Sequence, residues 1–188
     1  MNKKSMTLVN IITEHLKKPR IVVAEIGVYQ GDNAEFMLRQ LVKAKYKVTF
    51  YGFDLFEDAG SYNLKKTNPG VYDDTVAAGK IHTMSASTVH SKLKRIIPSI
   101  LLIKGDANKT VPKFADKLKD CDFFYIDGGH DYNSVKNDWV NVNKIAKIGS
   151  IIVFDDVHAP GIKRLTNEVE HTGIKMTKAF GSRKYLIK

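Results

Sequence analysis

The sequence predicts an α/β fold, with a mostly parallel seven-stranded sheet, helices on both faces and a terminal antiparallel hairpin. Two observations carry this. Short apolar runs of strand length alternate with stretches whose apolar residues recur at helical spacing. The last two short runs are separated only by Phe180-Gly181-Ser182-Arg183, where Gly-Ser signals a hairpin turn.

Leu8, Ile11, Ile12 and Leu16 sit at helical spacing, so a helix precedes the first strand. Ile21 to Ile26 reads as a buried strand. After Gly31, the residues Ala34, Met37, Leu38, Leu41 and Val42 form a helical stripe. Val48 to Phe53 is the second strand, and a helix with Val89, Leu93, Ile96 and Ile97 inward leads to the third, Ile100 to Ile103. Thr110 can cap a helix presenting Val111, Phe114, Ala115 and Leu118, with Pro112 tolerated in its first turn. Asp122 to Ile126 is the fourth strand, and Tyr132, Val135, Trp139 and Val142 make the next helical stripe. Ser150 to Phe154 is the fifth strand. Pro160 opens a helix with Ile162, Leu165 and Val169, before the closing strands Ile174 to Ala179 and Lys184 to Ile187.

A chain of 188 residues fits one domain, here spanning residues 1–188. Residues 57–98 form an insertion, and the polar part up to about Lys80 is broken by Gly60, Asn68-Pro69-Gly70 and Gly79. Such a segment at a strand's carboxyl end reads either as a lid over a substrate or as a plain surface loop. The single cysteine, Cys121, excludes an internal disulfide and suggests a reducing, cytoplasmic setting. It opens an apolar strand and reads as a small buried hydrophobe. The apolar run at Met6 to Ile12 is short and interrupted by Thr7 and Asn10, so it reads as an amphipathic helix and not a signal peptide. No run is long enough to span a membrane. The net charge of +10 comes from lysines spread along the whole chain, which favours a solvated basic surface over a nucleic-acid face. Anionic small substrates fit it, and a homodimer is left open.

The chemistry concentrates where strands end. Asp127-Gly128-Gly129-His130-Asp131-Tyr132 follows the fourth strand, and Asp155-Asp156-Val157-His158 follows the fifth. Ligands of open α/β sheets bind at the carboxyl ends of the strands, so Asp127, Asp155 and Asp156 are expected in one place. Three carboxylates repel one another unless something positive holds them, and a hard divalent cation is the simplest candidate. Upstream, Glu25-Ile26-Gly27-Val28-Tyr29-Gln30-Gly31 lies at the first strand–helix junction. Its glycines permit close backbone approach, and the helix start offers free N–H groups to an anion. The spacing is Gly-x-x-x-Gly, which is not the dinucleotide fingerprint. Asp54 and Asp106 end the second and third strands. Each can cap a turn or helix, yet a glycine loop followed by acids suggests a nucleoside held across the sheet.

These motifs, over essentially the whole chain, resemble class I methyltransferases that use S-adenosylmethionine (SAM), with a Rossmann-like fold. The loop from Glu25 to Gly31 is similar to that of catechol O-methyltransferase, a metal-dependent enzyme. The resemblance implies cofactor contacts at Glu25, Gly27, Tyr29, Gly31 and Asn33, ribose contacts at Asp54, and an adenine site beside Asp106. It implies a metal, expected to be magnesium, on Asp127, Asp155 and Asp156. The family's catalytic lysine lies three residues after the first of these acids, and this chain has His130 there. The string Tyr125 to Tyr132 looks more like the macrocin O-methyltransferase group, which acts on sugar hydroxyls. Some relatives use a histidine two residues after the acid pair as base, and His158 holds that position.

The resemblance therefore implies methylation of a small hydroxylated acceptor, a sugar or catechol-like diol, whose hydroxyl a cation both anchors and acidifies. Histidine suits the proton removal. His158 is favoured as base, with His130 and Asp127 beside it. Gly27→Val is expected to block the cofactor while leaving the fold intact. Rival readings are methylation of RNA ribose or of protein, or a non-catalytic SAM-binding module. A base-amino methyltransferase would need an Asp/Asn-Pro-Pro-aromatic loop after strand four, and the chain has Asp127-Gly128-Gly129-His130.

Overall fold

The computed structural model describes residues 3–56, 84–177 and 181–188, with side chains from Thr7 onward. The polar part of the insertion, from Glu57 to about Lys80, and residues 178–180 of the closing hairpin lie outside the described residues.

The elements are α1 (Lys3–His15), β1 (Arg20–Ile26), α2 (Asp32–Lys43), β2 (Lys47–Asp54), α3 (Ala86–Lys94), β3 (Ile100–Lys104), α4 (Ala107–Lys113), α5 (Ala115–Leu118), β4 (Phe123–Ile126), α6 (Tyr132–Ile145), β5 (Ile151–Phe154), α7 (Pro160–His171) and β6 (Lys184–Ile187). The strands form one sheet in the order β3-β2-β1-β4-β5-β6, parallel except for β6. Strand order reverses between β1 and β4. Their carboxyl ends therefore flank the switch point where open α/β sheets bind ligands.

The sheet separates two cores, and the period-2 alternation of β4 and β5 assigns residues to each. Phe123, Tyr125, Ile151 and Val153 join the side covered by α1, α2 and α3. Phe124, Ile126, Ile152 and Phe154 join the side covered by α4, α6 and α7. All eight are buried, as strands covered on both faces require. The stripe expected on α2 is buried at Ala34, Met37, Leu38 and Leu41, but Val42 falls on the exposed flank. Cys121 is fully buried, its thiol donating to the carbonyls of Phe123 and Val22 at 3.3 and 3.4 Å. No described helix is long and apolar enough to cross a membrane.

Two expectations change. The described residues hold six strands, not seven. Residues 174–177 form no strand, although Thr177 meets Tyr185: its N–H donates to the Tyr185 carbonyl at 2.9 Å, and its hydroxyl accepts the Tyr185 N–H at 3.2 Å and lies 3.3 Å from the same carbonyl. That hydroxyl stands in for the main-chain acceptor of a regular ladder. The helix expected to start at Thr110 starts at Ala107. Asp106 is its N-cap, accepting the Asn108 N–H at 3.0 Å, and the Thr110 hydroxyl bonds back to the Asp106 carbonyl instead of capping. Pro112 then falls in the last turn of α4, and the chain restarts as α5.

A buried acid on α6 sets a pH dependence for stability. Asp138 is 4% exposed, and burial, followed by the negative charges of Asp106 and Asp131, pushes its carboxyl up to about 7. A carboxyl raised on folding binds its proton more tightly in the native state. Stability therefore falls as pH rises from the unfolded value near 4 to about 7, and levels off above it. Carrying that carboxyl from its ordinary value to about 7 corresponds to an effect on the order of 4 kcal/mol. Denaturant unfolding of Asp138→Asn between pH 4 and 8 should show that slope removed. An unchanged slope assigns it to other groups.

Candidate active site at the carboxyl ends of β1, β4 and β5

The glycine loop after β1 is held from below. Gly27 has φ +89°, a conformation that strongly favours glycine, and a Cβ there would overlap the Asp127 carbonyl oxygen. Its N–H donates to the Phe53 carbonyl at 2.9 Å. The first requirement at this glycine is therefore contact between the ends of β1 and β4. Gly31, with φ +76°, also packs closely, since a Cβ would lie 2.8 Å from the Val89 side chain of α3. Gly31 is also the N-cap of α2 and, having no side chain, gives that helix no side-chain cap. Asn33 is half-buried in that turn, and Tyr29 is exposed at the loop's crest with φ +52°.

Asp54 ties the loop to β2. One carboxylate oxygen accepts the Tyr29 N–H at 2.7 Å and the other the Phe56 N–H at 2.7 Å. A carboxylate has about four acceptor positions, so each oxygen keeps one for a ligand hydroxyl. Asp106 stands at the next strand end and caps α4.

Below the loop lies Glu25, 1% exposed, with Oε2 lacking a hydrogen-bond partner among the described residues. Burial, together with the negative charges of Asp127, Asp54 and Asp155, raises its pKa well above the ordinary value against the opposing charge of Arg183.

The three expected metal ligands separate. Asp127 and Asp156 are half-buried and lie with His130 such that one ligand atom from each falls within 4.8 Å of the others. The His130 Nε2 is 3.5 Å from Asp156 Oδ2. Asp155 is fully buried and does not join them. Its Oδ2 accepts from Arg183 at 3.0 Å and from the Tyr125 hydroxyl, and its Oδ1 accepts from Ser182 at 2.7 Å and from the Asp156 N–H at 2.8 Å. The last β5–β6 pair is Phe154↔Lys184, so Asp155 and Arg183 meet one step beyond it on the face that carries Val153 and Tyr185. Successive residues of a strand point to opposite faces, so Asp155 and Asp156 diverge, and Asp156 turns further through its φ of +45°. Burial alone would raise the Asp155 carboxyl. The Tyr125 hydrogen bond, the Arg183 charge, the Ser182 hydroxyl and the Asp156 N–H outweigh it and hold Asp155 below its usual range.

The two histidines also part. His130 belongs to the carboxylate cluster. His158 is exposed, and its Nε2 lies 3.2 Å from the Gly181 carbonyl in the turn before β6. Asp131, inside the same motif, caps α6 through the Asn133 and Ser134 N–H groups. Arg183 and Tyr125 escaped sequence reasoning as site residues. The signal for Arg183 was its place two residues before Tyr185, on the same face of the closing strand.

A mostly parallel sheet with a glycine loop at its switch point and acids after β2, β3, β4 and β5 is the arrangement of a Rossmann-like, class I methyltransferase type of fold. The family model for the Methyltransferase domain matches residues 24–157, and the chain belongs to that family. Among solved structures it is similar to the O-methyltransferase NovP, with TM-score 0.68 and 15% identity over 99% of this chain and 78% of that one. The calicheamicin methyltransferase CalS11 gives 0.65 and 16% over 98% and 78%. MycE, the mycinamycin-pathway methyltransferase solved with Mg and SAH, gives 0.60 and 14%, and this chain spans about half of it, 48%. A search of curated protein sequences gives no significant match.

Proposed function

We propose that the protein is a SAM-dependent, divalent-metal-assisted O-methyltransferase acting on a small hydroxylated acceptor. The observation that carries this reading is the grouping of Asp127, His130 and Asp156 beside the Gly27 loop at the sheet's switch point. The residues present suit SAM. The N-terminus of α2, which has no capping side chain from Gly31, suits its carboxylate, and Asp54 keeps acceptor positions for ribose hydroxyls. Asp106, which caps α4 at the end of β3, is the residue beside which this reading puts the adenine. The orphaned oxygen of buried Glu25, among negative neighbours, suits a cationic group above it. SAM supplies a methyl group already activated on a sulfonium.

The donor set also suits a hard cation, with carboxylate oxygens from Asp127 and Asp156 and room left for substrate oxygen. Magnesium is the expected ion, in line with the MycE complex. A cation held by Asp127 and Asp156 would lower the pKa of an acceptor hydroxyl and anchor it. His130 then accepts the hydroxyl proton, its ring oriented by Asp156 across 3.5 Å. This favours His130 over His158, whose ring nitrogen turns toward the Gly181 carbonyl. A sugar or catechol-like diol matches such a site, and the +10 charge of the chain favours an anionic one. A cytoplasmic setting fits the lone buried Cys121.

Calorimetry tests the cofactor. SAM should bind at micromolar strength and NAD should not, and Asp54→Ala should weaken SAM roughly 10-fold or more through lost charged hydrogen bonds. Methyl transfer to a panel of sugar and catechol diols should then stop in excess EDTA and return with Mg²⁺. Turnover that survives EDTA removes the metal from the reading. Methylation of RNA or protein, with none on any diol, changes the substrate class.

A further inference from the structure

Arg183 is 2% exposed and is among the largest fully buried side chains of the described residues. A lone buried guanidinium is costly, and its surroundings show what offsets that cost. Its Nη2 lies 3.0 Å from Asp155 Oδ2 and 2.9 Å from the Tyr125 hydroxyl. That hydroxyl lies in turn 3.0 Å from Asp127 Oδ2. The closing strand thus brings a fixed cation to the floor of the carboxylate cluster. The Tyr125 hydroxyl stands between Asp155 and Asp127, with one proton shared between the two carboxylates. Ser182 and the Asp156 N–H occupy the second oxygen of Asp155.

We infer that Arg183 is a resident cation that divides the Asp155-Asp156 pair, holding Asp155 out of the metal site and leaving Asp127 and Asp156 to bind the divalent ion. This rests on the metal-assisted reading above and specifies its ligand set. Arg183 and Tyr125 are then positioning residues, acting through the carboxylates they hold. The consequence is a sign that a merely structural role for Arg183 does not produce. With the guanidinium gone, Asp155 is a buried charge without its counter-ion, next to Asp127, and a divalent ion becomes its best available partner. Metal affinity therefore rises when Arg183 is neutralised. It returns to the starting value when Asp155 is neutralised with it.

The test is Mn²⁺ binding to the full chain, followed by the electron paramagnetic resonance signal of free Mn²⁺. Circular dichroism in the near ultraviolet reports whether each variant is folded. Arg183→Gln should bind Mn²⁺ about 10-fold or more tightly than the parent chain, as expected for an uncompensated carboxylate recruited to the ion. The paired variant Asp155→Asn with Arg183→Gln keeps the net charge and should bind within about 3-fold of the parent, because exchanging a whole buried ion pair for neutral groups is tolerated. Asp127→Asn should lose binding and so marks the site being watched. Folded Arg183→Gln with unchanged or weaker affinity overturns the inference. If Arg183→Gln does not fold, the paired variant decides alone. A loss of about 10-fold or more in it makes Asp155 a ligand and overturns the inference. Failure of the parent chain to bind Mn²⁺ instead removes the metal-assisted reading itself.

Discussion

His130→Ala is expected to lower methyl-transfer turnover by roughly 10²–10⁴-fold, the range for loss of a general base, with little change in SAM affinity. His130 is the histidine placed among carboxylates, with Nε2 3.5 Å from Asp156 Oδ2. His158→Ala should cost far less, because that ring contacts the Gly181 carbonyl at the hairpin turn. Turnover with saturating SAM and acceptor, measured beside SAM calorimetry for both variants, checks this. The reverse ranking would return the base to His158. A fall in SAM affinity matching the fall in turnover would make His130 a cofactor contact.

Gly27→Val should destabilise the protein by on the order of 4 kcal/mol or more, combining positive-φ strain with overpacking against a main chain that cannot yield. Net stabilities of single domains are about 5–15 kcal/mol, so much of the folded population is at risk at 37 °C. This departs from the expectation that the fold would survive and only the cofactor be blocked. The space a side chain would need is filled by the Asp127 carbonyl. Denaturant unfolding of the variant checks it. Parent-like stability with abolished SAM binding would restore the cofactor explanation.

Much of the fold was legible because its signals are local. The stripes Val135, Trp139, Val142 and Ile162, Leu165, Val169 lie on helices and are buried. Errors came where a side chain competes with the main chain for hydrogen bonds. Asp106 took the cap expected of Thr110, and the Thr177 hydroxyl took a ladder position. The carboxylates at the ends of β4 and β5 were legible as chemistry but not as geometry. Asp155 and Asp156 look equivalent as an adjacent pair, and the alternation carried past β5 together with the positive φ of Asp156 separates them.

The sequence by itself determined the strand–helix alternation, the acids at the strand ends and the glycine loop, because each depends on residues close together in the chain. The tertiary structure decided which acids meet. Arg183 reaches Asp155 across 28 positions and Tyr125 across 58, and Gly27 touches Asp127 from another strand. Such contacts follow from sheet order and register, which pair β1 with β4 and β5 with β6. A buried guanidinium placed by that register assigns one carboxylate to the interior and leaves its neighbour at the surface of the site.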